Sequence, residues 1–157
     1  MNNYTPKYIY DTPMFMVTVS VVIIEENGVI LGIKEISNEN MEYGTNKNIS
    51  YGFPSGIVKA GQETIQFAAI RHVKEQTGIL IKKDTLIPVD FRSEPERSSS
   101  GNVIDIGFVV MLEKKTNMTN GKWVEVDFET KKLVLDTLST ENNILLQRAL
   151  DVAIMIK

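Results

Sequence analysis

Apolar and polar positions fall in blocks along the chain, and the period within each block predicts its conformation. Phe15 to Ile24 is dense in β-branched residues, Glu26-Asn27-Gly28 supplies residues that tolerate positive φ, and Val29 to Ile36 is apolar again. That is the pattern of a β-hairpin. From Ser37 to Ser50 the chain is polar and asparagine-rich without an apolar period, which predicts a long loop bordering a site. Tyr51 to Gly56 is a short apolar piece ending in turn residues. After Gly61, Ile65, Ala69 and Val73 repeat at the spacing of a core-facing helix, and Gly78 stands just past Thr77, where such a helix stops.

Thr85 to Phe91 and Val103 to Leu112 read as further strands, separated by a polar loop from Arg92 to Asn102. Asn120-Gly121 has hairpin chemistry and predicts Lys122 to Phe128 as a strand antiparallel to its predecessor. Ser139 or Thr140 can cap a closing helix whose stripe is Ile144, Leu145, Leu146, Ala149, Leu150, Ala153 and Ile154. Strands, one central helix, more strands and a final helix predict an α+β arrangement, a mixed sheet packed between helices. A chain of 157 residues, 43% hydrophobic, suits one core, so residues 1–157 read as a single domain.

Charge narrows the partners. A formal charge of −3 gives no general attraction for polyphosphate strands, and the lysine pairs at 82–83, 114–115 and 131–132 are isolated, which argues against nucleic acid. The longest apolar stretch, Met14 to Ile24, is far shorter than the roughly 20 residues that cross a bilayer, so no membrane partner is expected. With no cysteine there is no disulfide or thiolate site, which suits the cytoplasm. The start of the chain has none of the features of a secretory signal.

The segment from Gly56 to Ile79, GIVKAGQETIQFAAIRHVKEQTGI, resembles the Nudix signature GX5EX7REUXEEXGU, where U is a bulky aliphatic residue. Arg71, Val73, Glu75, Gly78 and Ile79 keep its register, and Glu63 keeps the distance before Arg71. One extra residue lies between Gly56 and Glu63. Two registers are open: an insertion near Gln62, which keeps more matches, or Gln62 in the glutamate position with the helix shifted. His72 and Gln76 replace two of the three helical glutamates. Phe53-Pro54-Ser55-Gly56 is similar to the family's strand-Pro-Gly-Gly approach to the helix.

The resemblance implies a Nudix-type α/β/α sandwich that hydrolyses the diphosphate of a nucleoside diphosphate derivative with a divalent metal, Mg or Mn. It implies Glu75 as catalytic residue and metal ligand, the Gly56 carbonyl and Gln76 as further metal ligands, His72 as ligand or base, and Glu63 with Arg71 as a structural ion pair. Positions 72, 75 and 76 share one helix surface, and there the imidazole and the amide supply no negative charge. Imidazole suits zinc or copper better than magnesium. Weakened activity is therefore expected, and an inactive nucleotide-binding or regulatory module is the alternative.

The family often recruits a glutamate from a later loop, and Glu94 and Glu96 are the candidates, Glu96 the stronger. The run Ser93-Glu94-Pro95-Glu96-Arg97 with Gly101 resembles the proline-arginine-glycine loop of the ADP-ribose pyrophosphatase branch, which makes Arg97 a phosphate-binding candidate and ADP-ribose or a sugar nucleotide the best substrate guess. Tyr43, Tyr51 and Phe53 border the long loop and the Gly56 turn and are candidates to flank a base. Trp123 and Phe128 read as core. Tyr4, Tyr8 and Tyr10 suit a homodimer contact.

Overall fold

A computed structural model describes residues 14–36, 48–97, 102–113, 116–134 and 138–156. The first hairpin forms as its alternation predicts. Strand β1, Met16–Glu25, turns through Glu26, which takes a left-handed φ of 55°, into β2, Gly28–Ile36. The segment Ser37–Ser50 read as a loop ends in a strand, β3, Asn48–Gly52, which pairs with β2; residues 37–47 lie outside the described residues. Then come β4 (Ser55–Ile57), helix α1 (Ile65–Thr77), β5 (Ile87–Arg92), β6 (Val103–Leu112), β7 (Lys122–Asp127), β8 (Lys132–Leu133) and helix α2 (Thr140–Ile156).

Among the described residues eight strands form one sheet in the order β5-β6-β1-β2-β7-β8, with β3 on β2 and β4 on β1. The β1–β6 pair is parallel over ten residues and the remaining pairs are antiparallel. Side-chain alternation along β1 divides the core. Val19, Val21 and Ile23 pack with Ala68, Ala69 and Val73 of α1, whereas Val22 and Ile24 pack with Leu145, Leu146, Ala149 and Leu150 of α2. The sheet is thus sandwiched between the two helices, the mixed architecture that the pattern of elements predicts.

One pairing departs from expectation. Asn120-Gly121 does not return β7 onto β6; β7 pairs antiparallel with β2, Val124 opposite Val29. The amides of Thr119 and Asn120 donate to the carbonyl of Thr77, tying this turn to the end of α1. Gly121, at φ 94°, lies so close to Leu31 that a Cβ would come within 2.4 Å of its carbonyl oxygen. Tertiary docking overrides the local hairpin signal. The hairpin forms one strand later, where Lys131 at φ 56° returns the chain so that Val126 pairs with Leu133.

Beside the apolar core, on the α2 face, lies a buried polar knot. Asp105 of β6 accepts from Arg92 Nη2 of β5 at 2.5 Å, Thr18 Oγ1 at 2.6 Å and Ser20 Oγ at 3.0 Å. Arg92 Nη1 also donates to the carbonyl of Glu141 in the first turn of α2. Arg92 and Asp105 are 7% and 4% exposed, so removing either would strand a buried charge. Among the described residues no helix is long and apolar enough to cross a membrane.

The knot joins three strands and a helix, and Asp105→Ala is expected to lower stability by about 3–5 kcal/mol. Urea unfolding tests this. A midpoint equal to that of the natural chain would contradict a closed buried pair.

Candidate functional site

The segment from Ser55 to Glu63 reaches α1 by first pairing with β1. Ser55 lies opposite Ser20, Gly56 opposite Val19 and Ile57 opposite Thr18. It then folds into a surface turn, where Gln62 and Glu63 donate their amides to the carbonyl of Lys59 and Gly61 takes φ 76°. Thr64 caps α1, its side chain accepting from the amide of Phe67, and Gly78 at φ 80° closes the helix by donating to the carbonyl of Lys74. Loop and helix thus have defined ends, and side chains of α1 reach back across the loop.

Arg71 makes the main link. Its Nε donates to Glu63 Oε2 at 3.0 Å and its Nη2 to Glu63 Oε1 at 2.6 Å, a two-pronged pair. Nη2 also donates to the carbonyl of Ile57 at 3.1 Å, and Nη1 to Glu75 Oε1 at 3.4 Å. Glu63 Oε1 accepts from the amide of Lys59 as well. The Arg71 hydrogen bonds, then the Lys59 amide, hold the Glu63 carboxyl well below its ordinary value of 4.5, at about 2. Glu63 is thus the partner of Arg71, the pair expected from the register that places the extra residue near Gln62.

His72 and Gln76 face the same loop, but as backbone partners. The His72 side chain is nearly buried, and Nε2 lies 2.9 Å from the carbonyl of Ile57; a carbonyl only accepts, so Nε2 carries the proton. Nδ1 faces Glu75 Oε2 at 3.7 Å. Gly56 lies flat on the ring, where a Cβ would come within 2.1 Å of Cε1, so only glycine permits this approach. Gln76 acts like a peptide group: Oε1 accepts from the amide of Ser55 at 3.1 Å and Nε2 donates to its carbonyl at 2.7 Å. A glutamate there could not donate to that carbonyl. Gln76 also packs over Gly32 of β2, where a Cβ would meet its own Cβ at 2.8 Å.

Glu75 is left as the exposed acid on this surface, its side chain 55% accessible. Among the described residues no three of His, Cys, Asp and Glu gather as a metal site would require. Magnesium favours several hard oxygen ligands. Here Gln76 Oε1 already accepts from Ser55, and what remains is the Glu75 carboxylate beside His72 Nδ1, a set too poor in hard oxygens to fit a resident magnesium ion by itself.

The other candidates separate. Phe53 is 2% exposed in the core with Val29 and Leu31, so its apolar ring is committed to packing and cannot flank a base. Tyr51 is exposed on β3, with the Lys122 ammonium 4.8 Å from its ring centre. Trp123 is also partly exposed, lying over Gly28 and donating to the carbonyl of Glu25, whereas Phe128 packs against the core. Glu94 and Glu96 line a cavity of about 370 Å³ with Asp90, Arg92, Glu141 and Arg148. No hydrogen bond joins Glu96 to α1 among the described residues. Arg97 ends the short turn Pro95–Arg97, but its side chain, like Tyr4, Tyr8, Tyr10 and Tyr43, lies outside the described residues.

The sequence reading missed Lys34. From β2 its Nζ donates to Ser55 Oγ at 2.5 Å and to the Ser55 carbonyl at 3.3 Å, the same carbonyl that Gln76 binds. Burial brings its pKa down from 10.5 to about 8, against an opposing pull from Asp105. The one clue in the sequence is a lysine interrupting an apolar strand.

A NUDIX domain family model matches residues 14–148. The chain is 35% identical over 88 residues to an ADP-ribose pyrophosphatase of Methanocaldococcus jannaschii, a stretch that is 56% of this chain and 46% of that protein. It therefore spans about half the length of that curated relative. Among solved structures it resembles a MutT/nudix family protein from Enterococcus faecalis, with TM-score 0.66 and 17% identity over 95% of this chain and 68% of that one. The NUDIX domain of Shewanella oneidensis NrtR, complexed with ADP ribose, also superposes with TM-score 0.66, at 15% identity over 96% of this chain and 94% of that one. At these identities the structures speak for the fold.

Two pH signatures follow. Glu63, with its pKa lowered from 4.5 to about 2, contributes stability that is complete above 4.5 and is lost as pH falls through that window. The stability difference between the natural chain and Glu63→Gln should shrink as acid is added; a constant difference in chemical unfolding would sink the brace. Lys34, lowered to about 8 from 10.5, binds fewer protons folded than unfolded between those values, so its cost to the fold is relieved as pH rises. Lys34→Met should lack that rise.

Proposed function

The chain belongs to the NUDIX domain family, and from that premise we propose that it hydrolyses the diphosphate of a nucleoside diphosphate derivative at a much reduced rate. ADP-ribose or a related sugar nucleotide is the substrate of choice. The relative's pyrophosphatase name and the ADP ribose bound by the NrtR domain support that class. The observation that carries the reading is the preserved frame with a depleted acidic face: Arg71 still ties Glu63, Ile57 and Glu75 together, while His72 and Gln76 bind loop carbonyls.

Hydrolysis forms a bond from water oxygen to phosphorus, breaks the bridging P–O bond, and requires a group to receive the water proton. Glu75 is the acid on this surface able to do so, with one oxygen steadied by Arg71 and the carboxylate open to solvent. The exposed Tyr51 ring offers a stacking face for a base. The side chains present do not by themselves fit a resident magnesium ion.

A second reading, nucleotide binding without turnover, is favoured by the Gln76 amide. Both of its ends are engaged by Ser55, so this position holds the loop and offers little to a reacting phosphate.

Nucleoside monophosphate release from ADP-ribose, followed at high enzyme concentration with Mg and with Mn, decides between them. Slow release abolished in Glu75→Gln is the expected result. Binding with no release selects the second reading, and neither binding nor release sinks both. His72→Glu combined with Gln76→Glu, which restores the family's carboxylates, is expected to raise Mg-dependent turnover by about tenfold or more if the frame is otherwise competent.

A further inference from the structure

His72 and Gln76 of α1 are already hydrogen-bonded to carbonyls of the loop, and a cation sits on the loop from the other side. Lys34 Nζ approaches Ser55 from β2 while Gln76 Nε2 approaches the same carbonyl from α1. The lysine stem passes over Gly52, where a Cβ would contact its Cγ and Cε at 3.8 Å. An ammonium has three protons, and Ser55 Oγ and the Ser55 carbonyl take two of them.

The other cations near the loop are placed differently. Arg71 is engaged by Glu63, Ile57 and Glu75. The Lys59 side chain is exposed and contributes to the brace through its backbone amide. Asp105, the acid whose charge reaches Lys34, is already held by Arg92, Thr18 and Ser20. Lys34 itself makes its hydrogen bonds to Ser55, and its ammonium is a positive centre beside the loop.

We infer that Lys34 supplies the positive charge that meets the ligand's diphosphate, and that this domain binds its nucleoside diphosphate derivative without a divalent metal. This rests on the nucleotide reading above and deepens it: the fixed side-chain cation stands in for the ion that the donor set does not fit. An ammonium also differs from a metal ion in what it can do. It offsets phosphate charge but gives much weaker polarisation of the reacting phosphorus, consistent with binding that outlasts chemistry.

Calorimetric titration of the full chain with ADP-ribose, in EDTA and in Mg, tests the inference. The dissociation constants are expected to agree within about threefold between the two conditions, and Lys34→Met is expected to weaken binding in EDTA by about tenfold or more, the worth of a charge-assisted hydrogen bond. Lys34→Arg should restore most of the affinity. Lys34→Gln keeps a donor for Ser55 while removing the charge, and should behave like Lys34→Met, with a melting temperature near that of the natural chain. Binding by the natural chain should weaken with added salt, and less steeply in Lys34→Gln, a readout that a structural role would not move. ADP-ribose binding that requires Mg, or that is unchanged in Lys34→Gln, overturns the inference and leaves the nucleotide reading standing. No binding of ADP-ribose in either condition overturns both.

Discussion

The guanidinium of Arg71 fixes the relation between the Gly56–Glu63 loop and the helix that follows it. It meets a carboxylate on the loop, a backbone carbonyl on β4 and a carboxylate one turn further along its own helix. A lysine could not do this, because a single ammonium lacks the planar fork that engages both oxygens of Glu63 and still reaches Ile57. The loop has few other anchors at this point: β4 is three residues long, and the turn beyond it carries the residue in excess of the family spacing. Gly61 accommodates that residue with a left-handed φ in open space, so the insertion leaves the brace in register.

With the brace in place, the carbonyls of Ser55 and Ile57 receive hydrogen bonds from α1. Carbonyl oxygens facing carboxylates repel unless a cation or proton lies between them. This chain meets that constraint with donors. His72 gives Ile57 a ring N–H, and Gln76 gives Ser55 both an acceptor and a donor. The two departures from the family pattern are therefore one physical change, the replacement of a charged interface by a hydrogen-bonded one. Gly56 adapts to it, because the flat His72 ring leaves no room for a side chain there.

The local features of this frame were legible in sequence. The spacing of Ile65, Ala69 and Val73 gave α1, Gly78 its end, and the eight-residue separation of Glu63 and Arg71 their pairing. Ser139 caps α2 through its hydroxyl, as one of two anticipated caps. Long-range contacts were not legible. The parallel pairing of β1 with β6 and the docking of β7 on β2 depend on where distant strands settle, which no local period encodes. Phe53 was misread because its neighbours in sequence border the site while its ring turns into the core. Lys34 and Ser55 lie 21 residues apart, and an isolated lysine in a strand gives no hint of its partner.

The divergence of β1 and β2 explains why that partnership exists. The two strands pair only near their hairpin, from Ile23 opposite Ile30 to Glu25 opposite Gly28. Further on, β1 takes β4 as its neighbour and β2 takes β3, which opens a crevice that Lys34 spans to reach Ser55. A charge in such a place is disfavoured by desolvation, and Asp105 offsets only part of that cost. The buried knot on the α2 face therefore bears on Lys34 as well: burial brings its pKa down to about 8, and the charge of Asp105 opposes that lowering.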